Sequence, residues 1–347
     1  MFVGLDLGAS SVRAAVVDGD GRVLGQERHR LQSREPPQVA EAIVRAAKTA
    51  CGAAGLPFNE IRAAGVGVPG AVEKATGLVL NAAPLGWKDV PIVKLLQARA
   101  PKLPLLIAND LSVATWGERM AGAGRDVDDL VVVLVGSGVG CGMVLGGRLY
   151  EGSIGIAGEF GHIKVTAPPS GVDGRPAAGR LCGCGQRGCL EAYAGGPNLS
   201  AWARDDVRIA AAAARAAGKQ PAVGKRLLDL VGGDPDKISP TAMERAAHEG
   251  DELSRRLLEE AGKMLGLALA NLVTVLNPAR LLLGGGVLAN SPRMQRAVAE
   301  GIDANAAKAA RSRLNIAVPD LGENAGVVGA ALWARENLPQ LKLAARA

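Results

Sequence analysis

The sequence predicts a mixed α/β fold that contains two similar strand–turn–strand units. The first unit is at residues 2–17, where two short apolar runs are joined by a glycine-containing turn. The second is the apolar run Leu130–Val135, followed by Gly136-Ser137-Gly138-Val139-Gly140 and another apolar run. Further apolar runs alternate with stretches of helical spacing, as in α/β proteins. A chain of 347 residues suits two domains, at about 150 residues each.

The individual elements follow from spacing and turn residues. In the first part of the chain we expect strands at 2–7, 12–17, near Val23, at 63–69 and at 104–108, with helices at 36–54 and 90–99. In the second part we expect a strand at 280–283 and helices at 200–217, at 251–276, and beginning at Ser239-Pro240 and Ser291-Pro292. Serine before proline is typical of a helix start. A loop rich in proline and glycine is predicted at 168–179.

Composition excludes several classes of protein. Hydrophobic residues make up 48% and charged residues 21%, so a large core is expected and disorder is not. The net charge of +6 is spread along the chain, which argues against a nucleic-acid partner. Asp6 and Arg13 interrupt the first apolar stretch, so no secretory segment is expected. The longest uncharged stretches, 130–147 and 264–279, are broken by glycine or polar residues, so no membrane partner is expected. Three of the five cysteines are clustered, which favours a reduced, cytoplasmic protein.

Three glycine-rich turns are candidates for nucleotide binding. In Asp6-Leu7-Gly8-Ala9-Ser10-Ser11, small residues let backbone N–H groups approach a phosphate, and the Asp6 carboxylate can hold Mg²⁺ through water. The second turn is Gly136–Gly142, and the third, Gly284-Gly285-Gly286, could receive an adenine or its ribose. Each turn alone could be an ordinary connection between elements. Three of them in one chain favour a nucleotide site.

Asn109-Asp110 follows a predicted strand and precedes a predicted helix. A carboxylate at such a position can serve as a general base for a hydroxyl group. The alternative is that Asp110 caps the helix that starts near Ser112. Two further carboxylates, Glu159 and Glu191, flank the cysteine cluster and are suited to binding adjacent sugar hydroxyls, or are ordinary surface residues.

The segment Cys182-Gly-Cys184-Gly-Gln-Arg-Gly-Cys189 indicates a structural zinc site, since three thiolates this close can surround one soft cation. A tetrahedral site needs a fourth ligand. His29 and His248 lie among charged residues, which favours surface positions, whereas His162 lies upstream of the cluster. A redox pair or inert thiols are the alternatives. Cys51 and Cys141 are expected to be buried.

Taken in order, these motifs resemble the ROK family of bacterial repressors, open-reading-frame proteins and sugar kinases. The resemblance extends from Phe2 to Trp333 and is most specific at the Glu-x-Gly-His and cysteine motifs. The matching motifs are Asp6-x-Gly8, Gly67-Val-Pro69-Gly70, Asn109-Asp110, Gly136-Ser137-Gly138-Val-Gly140, Gly158-Glu159-x-Gly161-His162, the cysteine segment through Glu191, and Gly284-Gly285-Gly286.

The resemblance implies an actin-like ATPase (ribonuclease H-like) fold, with two α/β domains around a cleft. We expect a smaller domain at 1–111 plus 326–347 and a larger one at 112–325, with a zinc-binding segment at 158–191. It also implies Asp110 as the base. The implied sugar ligands are Asn81, Asn109, Asp110, Glu159, His162 and Glu191. The implied nucleotide contacts are Asp6, Gly8, Ser10, Ser137, Gly138 and Gly285, and the implied zinc ligands are His162, Cys182, Cys184 and Cys189.

Three positions depart from the family pattern. The first phosphate loop usually reads Gly-Gly-Thr-Lys, whereas here it is Gly8-Ala9-Ser10-Ser11, in an Asp-x-Gly-x-Ser-Ser-x-Arg context similar to the larger FGGY sugar kinases. Ser137 stands where threonine is commoner. The separation of His162 from Cys182 is about ten residues longer than usual because of the loop at 168–179, a length that a surface loop tolerates.

Together with these motifs, the resemblance implies a kinase that uses ATP and Mg²⁺, carries structural Zn²⁺ and phosphorylates the 6-hydroxyl of a hexose, with glucose as the leading substrate. Fructose, mannose, allose, an N-acetylhexosamine, and polyphosphate in place of ATP stay open, as does a dimer or tetramer. A non-catalytic, sugar-sensing ROK protein is the main alternative. A repressor would need an N-terminal helix-turn-helix, for which the strand beginning at Phe2 leaves no room. A zinc-ribbon nucleic-acid binder fits less well, because aromatic residues make up only 3%.

Overall fold

The computed structural model describes residues 1–165, 179–220 and 222–339, so the predicted loop at 168–179 lies almost wholly outside the described residues. The strands are β1 (Phe2–Leu7), β2 (Ser11–Val17), β3 (Val23–Arg30), β4 (Ala64–Val68), β5 (Ala71–Glu73), β6 (Leu78–Ala82), β7 (Trp87–Val90), β8 (Leu105–Asn109), β9 (Leu130–Val135), β10 (Val139–Leu145), β11 (Arg148–Leu149), β12 (Arg280–Gly284) and β13 (Asn315–Ala317).

The helices are α1 (Pro36–Ala53), α2 (Ile92–Gln97), α3 (Asp110–Ala121), α4 (Glu191–Ala194), α5 (Gly196–Ala216), α6 (Lys225–Leu230), α7 (Pro240–His248), α8 (Glu252–Leu276), α9 (Gly286–Ala289), α10 (Pro292–Asn305), α11 (Lys308–Arg313) and α12 (Ala325–Glu336). Both predicted serine starts are confirmed, because Ser239 and Ser291 accept hydrogen bonds from the backbone of α7 and α10. The predicted helix at 90–99 is shorter in the structure, since Val90 ends β7 and Pro91 precedes α2.

The first sheet has the strand order β3-β2-β1-β4-β8. Strand β1 pairs antiparallel with β2 and parallel with β4, so the predicted strand–turn–strand at the start of the chain is confirmed. One face of this sheet packs on α1, and apolar residues of α12 cover part of the other. Because β1, β4 and β8 are parallel, their carboxyl ends lie at one end of the sheet. Asp6 is the penultimate residue of β1, Pro69 follows β4, and Asn109 is the last residue of β8.

The second sheet has the order β11-β10-β9-β12-β13, and its β9 and β10 confirm the second predicted strand–turn–strand. A third sheet, β5-β6-β7, was not predicted. Its strands contain three to five residues each. Runs this short give too few alternations to be recognised in a sequence.

Helix α12 packs against β1, β4 and α3 at positions where glycine leaves no side chain between the backbones. A Cβ atom added at Gly4 would lie 1.7 Å from the carbonyl oxygen of Val327 in α12. A Cβ atom added at Gly329 of α12 would lie 1.6 Å from the carbonyl oxygen of Val113 in α3. These distances are far below a van der Waals contact, so the close approach depends on glycine.

A buried carboxylate fixes the start of the same helix. Glu118 of α3 is 1% exposed and accepts hydrogen bonds from the backbone N–H groups of Ala123, Asp320 and Leu321, at 2.9, 3.0 and 2.8 Å. A carboxylate with three such donors is well compensated for its burial. Glu118 therefore ties α3 to the segment that leads into α12.

The chain divides into two compact units. One comprises residues 1–132, 142–158 and, of the described residues, 317–339; the other comprises 133–141 and the described part of 159–316. The predicted domain limits of 1–111 with 326–347, and 112–325, stay a prediction. Within the part of the chain that the structure describes, none of the helices combines the length and the apolar character that a membrane span requires.

Gly329→Ala should destabilise the protein, because the new methyl group would overlap the Val113 carbonyl oxygen of α3. To relieve this overlap, α3 or α12 would have to move, and α12 also packs on the first sheet. We expect the free energy of unfolding to fall by about 3 kcal/mol, the upper part of the range for overpacked cores. Urea unfolding followed by circular dichroism measures this. Gly52→Ala is the matched control: no atom lies within 4 Å of the new methyl group, and alanine favours a helix. Equal stability of the two variants would contradict the packing argument.

Candidate active site

The first of the predicted phosphate loops is the tight turn between β1 and β2. The Gly8 N–H donates to the Ser11 carbonyl at 2.8 Å, and the Leu31 N–H donates to the Ser10 carbonyl at 2.9 Å. The loop is therefore fixed by its own backbone and by the end of β3. Gly8 and Ala9 are half-buried and Ser10 is exposed, and phosphate binding at this turn stays a prediction.

Asp6 lies beside this loop, between a cation and a helix start. Its cross-strand partner is Arg13, and the Arg13 guanidinium lies 3.3 Å from the Asp6 carboxylate. On the other side, a Cβ atom added at Gly326, in the first turn of α12, would lie 2.9 Å from the Asp6 carboxyl carbon. Burial raises the pKa of Asp6, and the charges of Arg13 and Arg28 oppose that shift.

Asn109 ends β8 and caps α3. Its Oδ1 accepts from the backbone N–H groups of Leu111 and Ser112, both at 3.0 Å, and its Nδ2 donates to the Gly70 carbonyl at 3.0 Å. The alternative expectation that Asp110 caps this helix is therefore wrong, because Asn109 occupies the cap and Asp110 is the first helical residue. The amide oxygen and the amide nitrogen of Asn109 are thus both bonded to backbone groups. These bonds fix the start of α3 and, with it, the position of Asp110.

Asp110 is half-buried at the amino end of α3, where the helix dipole favours a carboxylate. Its Oδ1 accepts from the Leu111 N–H at 2.8 Å. Asn81 lies on β6, opposite Ala71, and a Cβ atom added at Gly70 would lie 2.1 Å from the Asn81 carbonyl oxygen. Gly70 has a φ of +91°, a conformation that glycine adopts without strain. Gly70 thus lies against both the Asn109 side chain and the Asn81 backbone.

The predicted metal ligands form one cluster. The ligand atoms of His162, Cys182, Cys184 and Cys189 all lie within 4.8 Å of one another. The sulfur atoms of Cys184 and Cys189 are 3.7 Å apart, and the Cys182 sulfur is 3.7 Å from Nδ1 of His162. A tetrahedral zinc ion with Zn–S bonds of about 2.3 Å places two sulfur ligands about 3.8 Å apart, so this geometry fits zinc.

Two neighbouring groups, the Lys164 ammonium group and the Gln186 backbone, favour the thiolate form of cysteines in the cluster. The Lys164 ammonium group donates to the Cys189 sulfur at 3.0 Å, and a backbone hydrogen bond from Gln186 lowers the pKa of Cys184. The other two cysteines are buried, as expected, and lie outside the cluster. Burial raises the pKa of Cys141 to about 12, which makes it unreactive at neutral pH.

The carboxylates of Glu159 and Glu191 both contact this cluster. Glu159 lies 3.6 Å from Nε2 of His162, whose other ring nitrogen, Nδ1, is the one 3.7 Å from the Cys182 sulfur. One Glu191 oxygen lies 3.9 Å from the Cys182 sulfur, and the other accepts from the Val139 N–H at 3.0 Å. Glu191 therefore connects the cysteine cluster to the loop between β9 and β10, a contact that the sequence did not predict.

That loop is the second of the predicted phosphate loops, and it borders a cavity. The Gly136 N–H donates to the Gly138 carbonyl, and the Gly196 N–H donates to the Gly136 carbonyl, both at 2.9 Å. A cavity of about 450 Å³ is lined by Gly136, Ser137, Gly196, Pro197, Ser200, Pro240, Thr241, Gly286, Val287 and Asn290. Its size lies within the range of pockets for small molecules.

The glycine run after β12 contributes to the same region. Gly285 has a φ of +90°, and a Cβ atom added there would lie 2.4 Å from the Val135 backbone. The predicted turn after β12 therefore packs directly against the end of β9. Sequence reasoning missed the lining from α5 and α7, including Ser200 and Thr241. The pairs Gly196-Pro197 and Ser239-Pro240 mark those helix starts, but nothing in the sequence indicates that they face one cavity.

Comparison with known proteins places these features in one family. The model of the ROK family matches residues 2–337. The chain belongs to the ROK family. A glucokinase of Streptomyces coelicolor is 32% identical over 344 residues, which cover 98% of this chain and 99% of the relative. A xylose repressor of Caldicellulosiruptor bescii is 27% identical and covers 82% of this chain, which spans 65% of the repressor.

Solved structures of ROK proteins have the same fold. The ROK hexokinase from Thermus thermophilus has a TM-score of 0.78 and 29% identity, covering 98% of this chain and 99% of that one. A ROK family glucokinase from Streptomyces griseus, solved in complex with glucose and AMPPNP, has a TM-score of 0.74 and 30% identity, covering 96% and 99%. The actin-like ATPase fold implied by the sequence is confirmed.

The cysteine cluster should retain close to one zinc ion per chain after thorough desalting, because closed structural sites bind zinc tightly. Metal analysis by inductively coupled plasma mass spectrometry measures this. Cys184→Ser should lower the zinc content, whereas Cys51→Ser, which changes a cysteine outside the cluster, should not. A metal-free protein with unchanged thermal stability would show that the cluster is not a zinc site.

Proposed function

We propose that this protein is an ATP-dependent kinase that phosphorylates the 6-hydroxyl of a hexose, with glucose as the leading substrate. The observation that carries the proposal is the placement of Asp110, a half-buried carboxylate fixed at the start of α3 by the Asn109 cap. It occurs in a chain that resembles a glucokinase over nearly its whole length. A carboxylate held in this way is suited to accept a proton from a hydroxyl group.

The chemistry requires positioning more than covalent catalysis. In phosphoryl transfer the enzyme aligns the attacking hydroxyl with the terminal phosphate and neutralises its charge. We infer that Asp110 orients the hexose hydroxyl and takes its proton. Asn109 acts through Asp110, because both ends of its amide hold backbone groups. Asn109 also stays a proposed sugar ligand, together with Asn81, Glu159, His162 and Glu191.

The nucleotide would bind along the two glycine loops. Gly8 and Ser10 would contact phosphates at the first loop, and Ser137 and Gly138 at the second. The cavity of about 450 Å³ beside Ser137 would receive the adenosine, with Gly285 behind it. Asp6 would hold Mg²⁺ through water, and this ion would supply charge neutralisation for the phosphates.

Zinc would have a structural role. His162 and the three clustered cysteines would hold it, and the ion would fix the segment that carries Glu159 and Glu191. Both carboxylates contact the cluster, which supports this assignment.

The other candidate is a sugar-sensing protein without kinase activity, since xylose repressors are also among the relatives. Such a protein would bind a sugar without phosphorylating it. Fructose, mannose, allose and N-acetylhexosamines stay open as substrates, as does polyphosphate as donor. A coupled assay over these sugars and donors separates the possibilities.

Asp110→Asn should abolish turnover while sugar binding stays close to that of the unmodified protein. Removal of a general base costs about 10² to 10⁴ in rate. Steady-state kinetics give kcat, and isothermal titration calorimetry with the sugar shows that the variant is folded. Asp20→Asn, in an exposed turn, is the control with the same chemical change and no expected effect. A near-native kcat for Asp110→Asn would remove Asp110 from the mechanism.

Cys184→Ser should raise KM for the hexose by about tenfold or more, because misplacement of binding groups by about 1 Å can cost up to about a hundredfold. KM for ATP should rise less, since the disturbance reaches the second glycine loop only through the hydrogen bond that the Val139 N–H donates to Glu191. Cys51→Ser serves as the control. Unchanged KM values for both substrates would mean that the cluster organises neither site.

A further inference from the structure

Charged side chains line one face of the first sheet beside the first phosphate loop. Asp6, Arg13 and Arg28 are successive cross-strand partners on β1, β2 and β3, so they share a face. Ser11, two residues before Arg13 on the same strand, lies on that face too. The Arg28 Nε donates to the Ser11 hydroxyl at 3.3 Å. This row places two guanidinium groups next to the turn at Gly8.

Arg13 contacts two carboxylates that differ sharply in exposure. One nitrogen of its guanidinium lies 3.3 Å from Asp6, whose side chain is 20% exposed. The other lies 2.9 Å from Glu323, whose side chain is 83% exposed. Glu323 sits in a single turn, Gly322–Asn324, ahead of α12. Because such an exposed ion pair is weak, Glu323 can leave Arg13 at little cost, whereas Asp6 is held in the sheet.

A phosphate chain is a stronger partner for Arg13 than Glu323 is. A guanidinium group binds phosphate oxygens through two parallel hydrogen bonds, and a phosphate chain carries more charge than one carboxylate. The backbone N–H groups of the loop and the first turn of α12 add to the positive potential at the same place. Arg13 itself is 32% exposed, so a ligand can reach it.

We propose that Arg13 binds the phosphate chain of the donor at the first phosphate loop, and that Glu323 occupies Arg13 until that chain displaces it. This inference rests on the proposed function, since it needs a phosphate donor at this loop. Arg13 is then a substrate-binding residue, and Glu323 is a competitor that weakens donor binding. If Arg13 only neutralised Asp6, loss of Glu323 would leave donor affinity unchanged.

Isothermal titration calorimetry with Mg²⁺–ATP, and separately with inorganic tripolyphosphate, tests the proposal. Glu323→Gln should bind ATP about two- to fivefold more tightly, in line with the worth of an exposed ion pair. Arg13→Met should bind it at least about tenfold more weakly, and Arg13→Lys should recover part of the affinity. Glu323→Gln should give no gain in the Arg13→Met background, because its effect requires Arg13.

The matched control is Glu252→Gln, which removes another exposed carboxylate, 76% exposed, from an arginine pair on α8. It should leave donor affinity unchanged. If Glu323→Gln binds only ATP more tightly, the phosphate chain that Arg13 binds belongs to a nucleotide. If it also binds tripolyphosphate more tightly, an inorganic phosphate chain is a second possible donor. Wild-type affinity in Glu323→Gln would overturn this inference alone, while a wild-type protein that binds neither probe would overturn the proposed function as well.

Discussion

The close packing of α12 on the first sheet and on α3 fixes the positions of Asp6 and Asp110, the two carboxylates at the carboxyl end of that sheet. Gly4 and Gly329 allow backbone contact at distances that any side chain would prevent. Helix α12 begins against Asp6, and α3 begins with Asp110. Because Glu118 also ties α3 to the segment before α12, the same packing holds the phosphate-loop carboxylate and the proposed base. Rigid elements of this kind position catalytic groups more accurately than loops do.

The other compact unit has a comparable connection through Glu191. Its two carboxylate oxygens contact the cysteine cluster and the second phosphate loop, at Cys182 and Val139. The segment after it continues into Gly196, whose N–H group donates to Gly136 of the same loop. The metal-binding geometry and the loop that borders the cavity are thus parts of one hydrogen-bonded arrangement. Glu191, which the resemblance implies as a sugar ligand, therefore also contacts the loop that we propose for nucleotide binding.

Much of this could be predicted because the signals are local. The turns at Gly8 and Gly136 lie between apolar runs, and the spacing of three cysteines within eight residues limits them to a cluster. The identity of the helix cap could not be predicted, since Asn109 and Asp110 are both good caps and only the backbone angles decide between them. The bond between Arg13 and Glu323 joins residues 310 positions apart, and no sequence periodicity indicates such a contact.

The proposed function requires transfer of a phosphoryl group from ATP to a sugar, and ³¹P NMR of the protein with Mg²⁺–ATP and glucose observes that transfer itself. We expect loss of the γ-phosphate signal and the appearance of a phosphate monoester on the 6-oxygen of glucose, in equal amounts. Binding of both ligands without a new monoester signal, or release of inorganic phosphate alone, would contradict it.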